Sequence, residues 1–273
     1  MVAGYSNWKG CKPMKFGDIA NLVRFWNKPR YHRDIIKHFF WNKDDARRLK
    51  FYRQFVKPGQ LVFDVGANMG NRSKIFLELG ARVVAFEPQP YCATFLATAF
   101  HGNPRYTLLT SALSNQETQL TMHLSKTHTL STIDEDWLNR MHEGGRFQDQ
   151  KWDKHIAVRT TTLDQAIDEH GLPGFIKIDV EGHELNVVQG LSRPVRHLSL
   201  EFASESLDRT FLCLDHLDSI GTYRYGLSFS ESMCMADTGW LDSAALKRHL
   251  LDARNRDPMT WGDVYAKLES SAS

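Results

Sequence analysis

From residue 61 onward, short apolar runs alternate with stretches in which apolar side chains recur three or four positions apart. A run of four to eight apolar residues bounded by turn formers reads as a strand, and the longer spacing reads as a helix. On that rule strands are predicted at residues 61–65, 83–86, 106–110, 119–124, 155–160, 175–179, 198–202, 223–228 and 263–267. Helices are predicted at 70–80, 89–100, from Leu163, near 184–191, and around 211–220 and 244–253. Strands regularly interrupted by helices imply right-handed crossovers and a mostly parallel sheet covered on both faces, a doubly wound α/β fold. Residues 127–154 are polar and read as a connection.

The first part of the chain has another pattern. Residues 17–55 read as helices through Ile19, Leu22, Val23, Phe25 and Trp26, then Ile35, Ile36, Phe39 and Phe40, then Leu49, Phe51, Tyr52 and Phe55. A Lys57-Pro58-Gly59-Gln60 turn follows, so a helical extension over 1–57 and an α/β domain over 58–273 are predicted. Charge sharpens the division. Residues 1–60 hold fourteen lysines and arginines against four aspartates, a balance of +10, and because the whole chain sums to +2 the remainder carries −8.

Composition sets the outer bounds. With 273 residues, 42% apolar and 24% charged, the chain is a folded globular protein and neither disordered nor fibrous. No apolar run approaches the ~18 residues of a membrane-spanning helix. The start lacks a signal-like apolar core, and Cys11, Cys92, Cys213 and Cys234 form no C-x-x-C pair. A cytoplasmic location without a disulfide framework or a cysteine-built zinc site is therefore expected.

Three places carry candidate chemistry. The first strand ends in Asp64-Val65-Gly66-Ala67-Asn68-Met69-Gly70, a glycine turn at the sheet's carboxyl edge, where open α/β folds bind ligands. Asn68 stands where a dinucleotide fingerprint would need its second glycine, and Asp64 suits a cationic group such as the ammonium of a methionine moiety. The second strand ends in Glu87-Pro88, 17 residues after Gly70, where a carboxylate can accept both hydroxyls of a ribose. The third place is Ile176-Lys177-Ile178-Asp179-Val180-Glu181-Gly182-His183-Glu184. Lys177 and Asp179, two apart, project to one face of an otherwise apolar strand, either meeting ligand or forming an ion pair.

Together these segments resemble the FkbM-type S-adenosylmethionine-dependent methyltransferases. The match runs through residues 63–70 with Ser73, Phe86-Glu87-Pro88, Ser111-Ala112-Leu113-Ser114, Thr162-Leu163-Asp164, and residues 176–184 with Gly190, covering roughly 58–202. The resemblance implies a class I methyltransferase fold, seven strands with the last antiparallel, and methyl transfer to a hydroxyl of a sugar, polyketide or similar small molecule. It also implies S-adenosylmethionine with its methionine end near Asp64, Gly66, Asn68, Gly70 and Ser73, its ribose on Glu87, and its adenine between Pro88 and Ser111-Ala112. Asp179 would lie near the cofactor. Where the family often reads Asn-Ala-Ala-Leu, this chain has Thr110-Ser111-Ala112-Leu113, which leaves the Ser111 hydroxyl or the backbone to supply the adenine contact.

An alcohol needs a proton acceptor before it attacks, and Glu181 and His183 are the candidates, with Asp179 and Lys177 beside them; His183 reads as a helix-start surface residue. No metal is expected, although Asp179, Glu181 and Glu201 could offer oxygens to Mg²⁺. Two alternatives remain open. The basic extension, with Tyr31, Phe39, Trp41 and Tyr52 interleaved, could serve an RNA methyltransferase, or the aromatics could pack on the sheet. The domain could also bind a nucleoside without turnover. Trp137, Trp152, Trp240, His128 and Ser131 have no assigned role. The extension's charge poses the question whether the acceptor, or a surface presenting it, is anionic.

Overall fold

The computed structural model describes His38 and residues 40–125, 130–143 and 152–269. In chain order the elements are α1 (Lys43–Tyr52), β1 (Leu61–Val65), α2 (Asn71–Glu78), β2 (Arg82–Phe86), α3 (Pro90–Ala99), β3 (Tyr106–Leu109), β4 (Ala112–Leu113) and β5 (Gln119–Leu124). There follow α4 (Glu135–Glu143), β6 (Lys154–Thr161), α5 (Leu163–His170), β7 (Phe175–Ile178), α6 (Glu184–Gln189), β8 (His197–Ala203), α7 (Leu207–Ile220), β9 (Tyr223–Phe229), α8 (Ser243–Arg256) and β10 (Trp261–Leu268).

The main sheet has seven strands in the order β3-β2-β1-β7-β8-β10-β9. β10 runs antiparallel to both its neighbours, and the remaining pairings are parallel. This is the class I methyltransferase arrangement, with the last strand reversed. β1 lies centrally and all five of its residues are buried, as a strand covered on both faces requires. Its side chains divide by parity. Phe63 and Val65 join the core beneath α5, α6, α7 and α8, and Val62 joins the core beneath α1 and α2.

The described end of the basic segment is built into that second core. Asn42 caps α1 by accepting from the backbone N–H groups of Asp44 and Asp45, while Asp45 returns a bond to the Asn42 N–H. Tyr52 is fully buried, edge-on to Phe76, and Phe55 stacks on Tyr265 at 4.9 Å between ring centroids. Tyr52 is thus unavailable to stack on an RNA base, and Trp41 packs against the same core. Tyr31 and Phe39 lie outside the described residues, as does His128.

Two features were not anticipated. β4 pairs parallel with β6, and β5 antiparallel with β6, making a second, three-stranded sheet. The polar stretch also contains α4, whose Trp137 is buried. Among the described residues, no helix is long and apolar enough to cross a membrane.

Candidate functional site

The turn after β1 is shaped by left-handed backbone at Gly66 (φ 77°), Asn68 (φ 50°) and Gly70 (φ 77°). At Gly66 glycine is obligatory on two counts. A Cβ there would lie 1.8 Å from the Asp179 carbonyl oxygen, and the positive φ itself disfavours a side chain. The turn is tied to β2, since the N–H groups of Gly66 and Ala67 both donate to the Phe86 carbonyl. Beneath it Ser73 Oγ donates to Asp64 Oδ2 at 2.5 Å. Burial pushes the Asp64 carboxyl up to about 6 against the pull of that bond.

Glu87 follows β2 directly and is almost wholly buried. Its Oε2 accepts from the Asn68 N–H at 2.6 Å and its Oε1 from the Gln89 N–H at 2.8 Å. The two bonds lock the carboxylate's orientation and leave a lone pair on each oxygen for ligand hydroxyls. Burial raises its carboxyl to about 7, the backbone donors opposing.

At the end of β7, Lys177 is 1% exposed and lies 3.1 Å from Asp179 Oδ2 and 3.2 Å from Asp263 Oδ1 on β10. Its ammonium clamps the reversed strand to the site's floor. Beyond it the chain turns sharply, with Glu181 at φ 52° and Gly182 at φ 97°. A Cβ on Gly182 would strike the Trp137 ring, so the indole lies directly on the turn. Thr132 Oγ1 donates to the Glu181 carbonyl at 2.6 Å, and Glu184 Oε1 accepts from the Val180 and Gly182 N–H groups. Burial, then the charges of Asp179 and Glu184, push the Glu181 carboxyl well above its ordinary range.

His183 is not a surface residue. It starts α6 but is buried, because the segment containing Ser114 and α4 covers that side of the turn. Its Nε2 lies 3.0 Å from Ser114 Oγ, and its buried Nδ1 has no partner among the described residues. Burial lowers its pKa to about 4, so the ring is neutral at physiological pH.

One cavity joins these pieces at the carboxyl ends of β1, β2 and β7. Of the residues predicted for the site, Gly66, Asn68, Glu87, Pro88, Ala112, Asp179, Glu181 and His183 line it. Asp64, Gly70, Ser73, Ser111 and Lys177 lie outside the lining: Asp64 and Ser73 bond to each other under the turn, and Lys177 is committed to its two aspartates. Ser131 lines the cavity, as do Gln89, Leu113, Met122 and Ile133. Arg48, Arg72 and Glu231 line it too, and no sequence motif had marked them. Beside the cavity, Asp179, Glu181 and Glu201 bring one carboxylate oxygen each within 4.8 Å of one another. These are hard oxygen donors of the kind Mg²⁺ takes. Lys177 offsets Asp179, and burial followed by repulsion from Asp179 raises the Glu201 carboxyl as it does that of Glu181.

The chain is similar to several known proteins. The "2-O-methyltransferase NoeI" of Sinorhizobium fredii (strain NBRC 101917 / NGR234) is 31% identical over 156 residues, 52% of this chain. The match spans 63% of that protein's length. Among solved structures, a precorrin-6y C5,15-methyltransferase from Geobacter metallireducens is 12% identical with a TM-score of 0.44, covering 82% of this chain and 86% of that one. A TehB-like SAM-dependent methyltransferase from Corynebacterium glutamicum is 11% identical with a TM-score of 0.40, covering 90% and 99%. The family description "Methyltransferase FkbM domain" matches residues 64–218, more than half of the chain and all three chemical segments. The protein belongs to the FkbM methyltransferase family.

Proposed function

We propose that the protein is an S-adenosylmethionine-dependent O-methyltransferase acting on a hydroxyl of a small molecule, such as a sugar or a polyketide-type natural product. The observation that carries this reading is the shared cavity, lined by Glu87 as well as by Asp179 and Glu181. A buried carboxylate already oriented by two backbone N–H groups is suited to accept a ribose diol. Ala112, Leu113 and Pro88 offer apolar surface to an adenine, and the Gly66 turn allows close backbone approach.

S-Adenosylmethionine supplies an electrophilic methyl group on a sulfonium. The side chains of this protein have the other tasks. Asp179 presents negative charge to the sulfonium, and the Lys177 clamp keeps it in place. Glu181 takes the acceptor's hydroxyl proton as the new O–C bond forms, the S–C bond breaks and its electron pair returns to sulfur. Its raised pKa makes it a stronger base than an ordinary carboxylate, and such a base is typically worth ~10²–10⁴-fold. His183, neutral and bonded to Ser114, is the second candidate for that proton. The similarity to the 2-O-methyltransferase NoeI supports oxygen as the accepting atom.

The test is incubation of the purified protein with methyl-labelled S-adenosylmethionine, a metabolite extract and total RNA. Label in a low-molecular-weight product is the expected result. Label in RNA would favour the nucleic-acid reading, and binding without product would leave a nucleoside-binding module.

A further inference from the structure

The cavity that Glu87 lines has basic side chains in its lining as well. Arg48 on α1 and Arg72 on α2 both line it, and their side chains are only 12% and 11% exposed. Both reach one carboxylate, that of Glu231 in the loop between β9 and α8. Arg72 Nη2 donates to Oε1 at 2.7 Å and Arg48 Nη2 to Oε2 at 3.4 Å. Glu231 itself stays 49% exposed.

The arrangement is asymmetric. An exposed carboxylate loses little on returning to water, whereas withdrawn guanidiniums need an acceptor. Neither arginine is fully used. The Nε of each is buried and without an acceptor among the described residues, although a guanidinium can grip a carboxylate through two parallel bonds. The other acids nearby are engaged. Asp45 approaches Arg48 at 3.5 Å but is held by Lys74 at 2.6 Å, and Asp263, which faces Arg72 electrostatically, is bonded to Lys177 and Tyr265. The loop that delivers Glu231 holds Ser230 at φ 49° and Met233 at φ 52°, conformations that cost energy for residues with side chains.

We propose that Arg48 and Arg72 form a seat for a ligand carboxylate, and that Glu231 fills it as an internal stand-in that the ligand displaces. This rests on the reading of the cavity as a methyl-donor site. Acids and guanidiniums lining one cavity match a ligand that carries both a cationic centre and a carboxylate, as the methionine portion of S-adenosylmethionine does. A uronic-acid type of acceptor is the other source of the same group.

Calorimetric titration of the full chain separates the outcomes, using S-adenosylmethionine and its decarboxylated form, which keeps nucleoside, sulfonium and amine. Arg72→Gln and Arg48→Gln are expected to weaken S-adenosylmethionine about tenfold each and to leave the decarboxylated form unchanged. Glu231→Gln is expected to tighten S-adenosylmethionine several-fold with no gain for the decarboxylated form, a result misfolding cannot produce. If donor binding is unmoved, the same variants are titrated with glucuronate and with glucose in the presence of S-adenosylhomocysteine. Selective loss of the acid would assign the seat to the acceptor. Equal shifts for acid-bearing and acid-free ligands, or no shift in any arm, would overturn the seat. A wild-type chain that binds neither form of the donor would overturn the methyl-donor reading, and the seat with it.

Discussion

The Asn68 N–H donates to Glu87 Oε2 at 2.6 Å, so the left-handed residue of the β1 turn and the acid at the end of β2 form one unit. The turn is shaped around a carboxylate, and the carboxylate is aimed by the turn. Glu87→Gln replaces an acceptor oxygen by an NH₂ that must face one of two backbone donors. We expect donor affinity to fall by about 1.5–3 kcal/mol, on the order of ten- to a hundredfold, measured by calorimetry. Unchanged affinity would remove Glu87 from the donor site.

The same residue makes a prediction about pH. Its carboxyl rises from 4.5 to about 7 on folding, chiefly through burial. Between those values the folded chain binds more protons than the unfolded one, so this group lowers stability as pH rises from about 4.5 to 7. Burial costs it on the order of 3 kcal/mol at pH 8 by that linkage. Urea unfolding at pH 5 and pH 8 should show a smaller loss of stability for Glu87→Gln than for the wild type. Parallel losses in the two proteins would contradict the raised pKa.

Gly66→Ala tests how tightly the two motif turns interlock. The new Cβ would lie 1.8 Å from the Asp179 carbonyl, backbone against backbone, at φ 77°. No flexible side chain can yield there, so β1 and β7 must separate at their carboxyl ends. We expect a loss of about 2 kcal/mol or more, with donor binding abolished, read by denaturant titration and calorimetry. Near-normal stability would contradict the close approach.

Metal removal bears on the acid trio. Lys177 already offsets Asp179, and the raised Glu201 carboxyl can relieve the trio's repulsion by keeping its proton. Turnover should therefore survive EDTA unchanged. Loss of turnover restored by Mg²⁺ would turn Asp179, Glu181 and Glu201 into ligands.

Much of this architecture is readable from local pattern. β1 and β7 announce themselves as mostly apolar runs because both their faces are covered, β8 by the alternation of Leu198, Leu200 and Phe202, and α2 and α3 by their punctuating glycine and proline. β4 is not readable, since two residues carry no period and Ala112 and Leu113 pair with Thr160 and Thr161 only through tertiary contact. α4 hides in a polar stretch because, of residues 135–140, Trp137 alone is buried. Asp179, Glu181 and Glu87 are readable because strand ends collect ligands. Arg48, Arg72 and Glu231 are not, because their convergence joins residues up to 183 positions apart. Among the motif residues, sequence also could not separate those that face the cavity from those that support it. Asp64 and Ser73 bond to each other and Lys177 to Asp179 and Asp263, a supporting role that only packing reveals.

The central claim is methyl transfer to a hydroxyl with Glu181 as base, and Glu181→Gln tests it most directly. The measurement is label transfer from methyl-labelled S-adenosylmethionine to small-molecule products, by wild type and variant, alongside donor affinity. We predict that the wild type forms a methyl ether, on an acidic limb lying above the ordinary carboxylate range because activity is lost as pH falls through the raised Glu181 pKa. The variant should bind donor normally and lose ~10²–10⁴-fold in turnover. Near-normal turnover by Glu181→Gln, or no labelled small molecule from the wild type, would contradict the account.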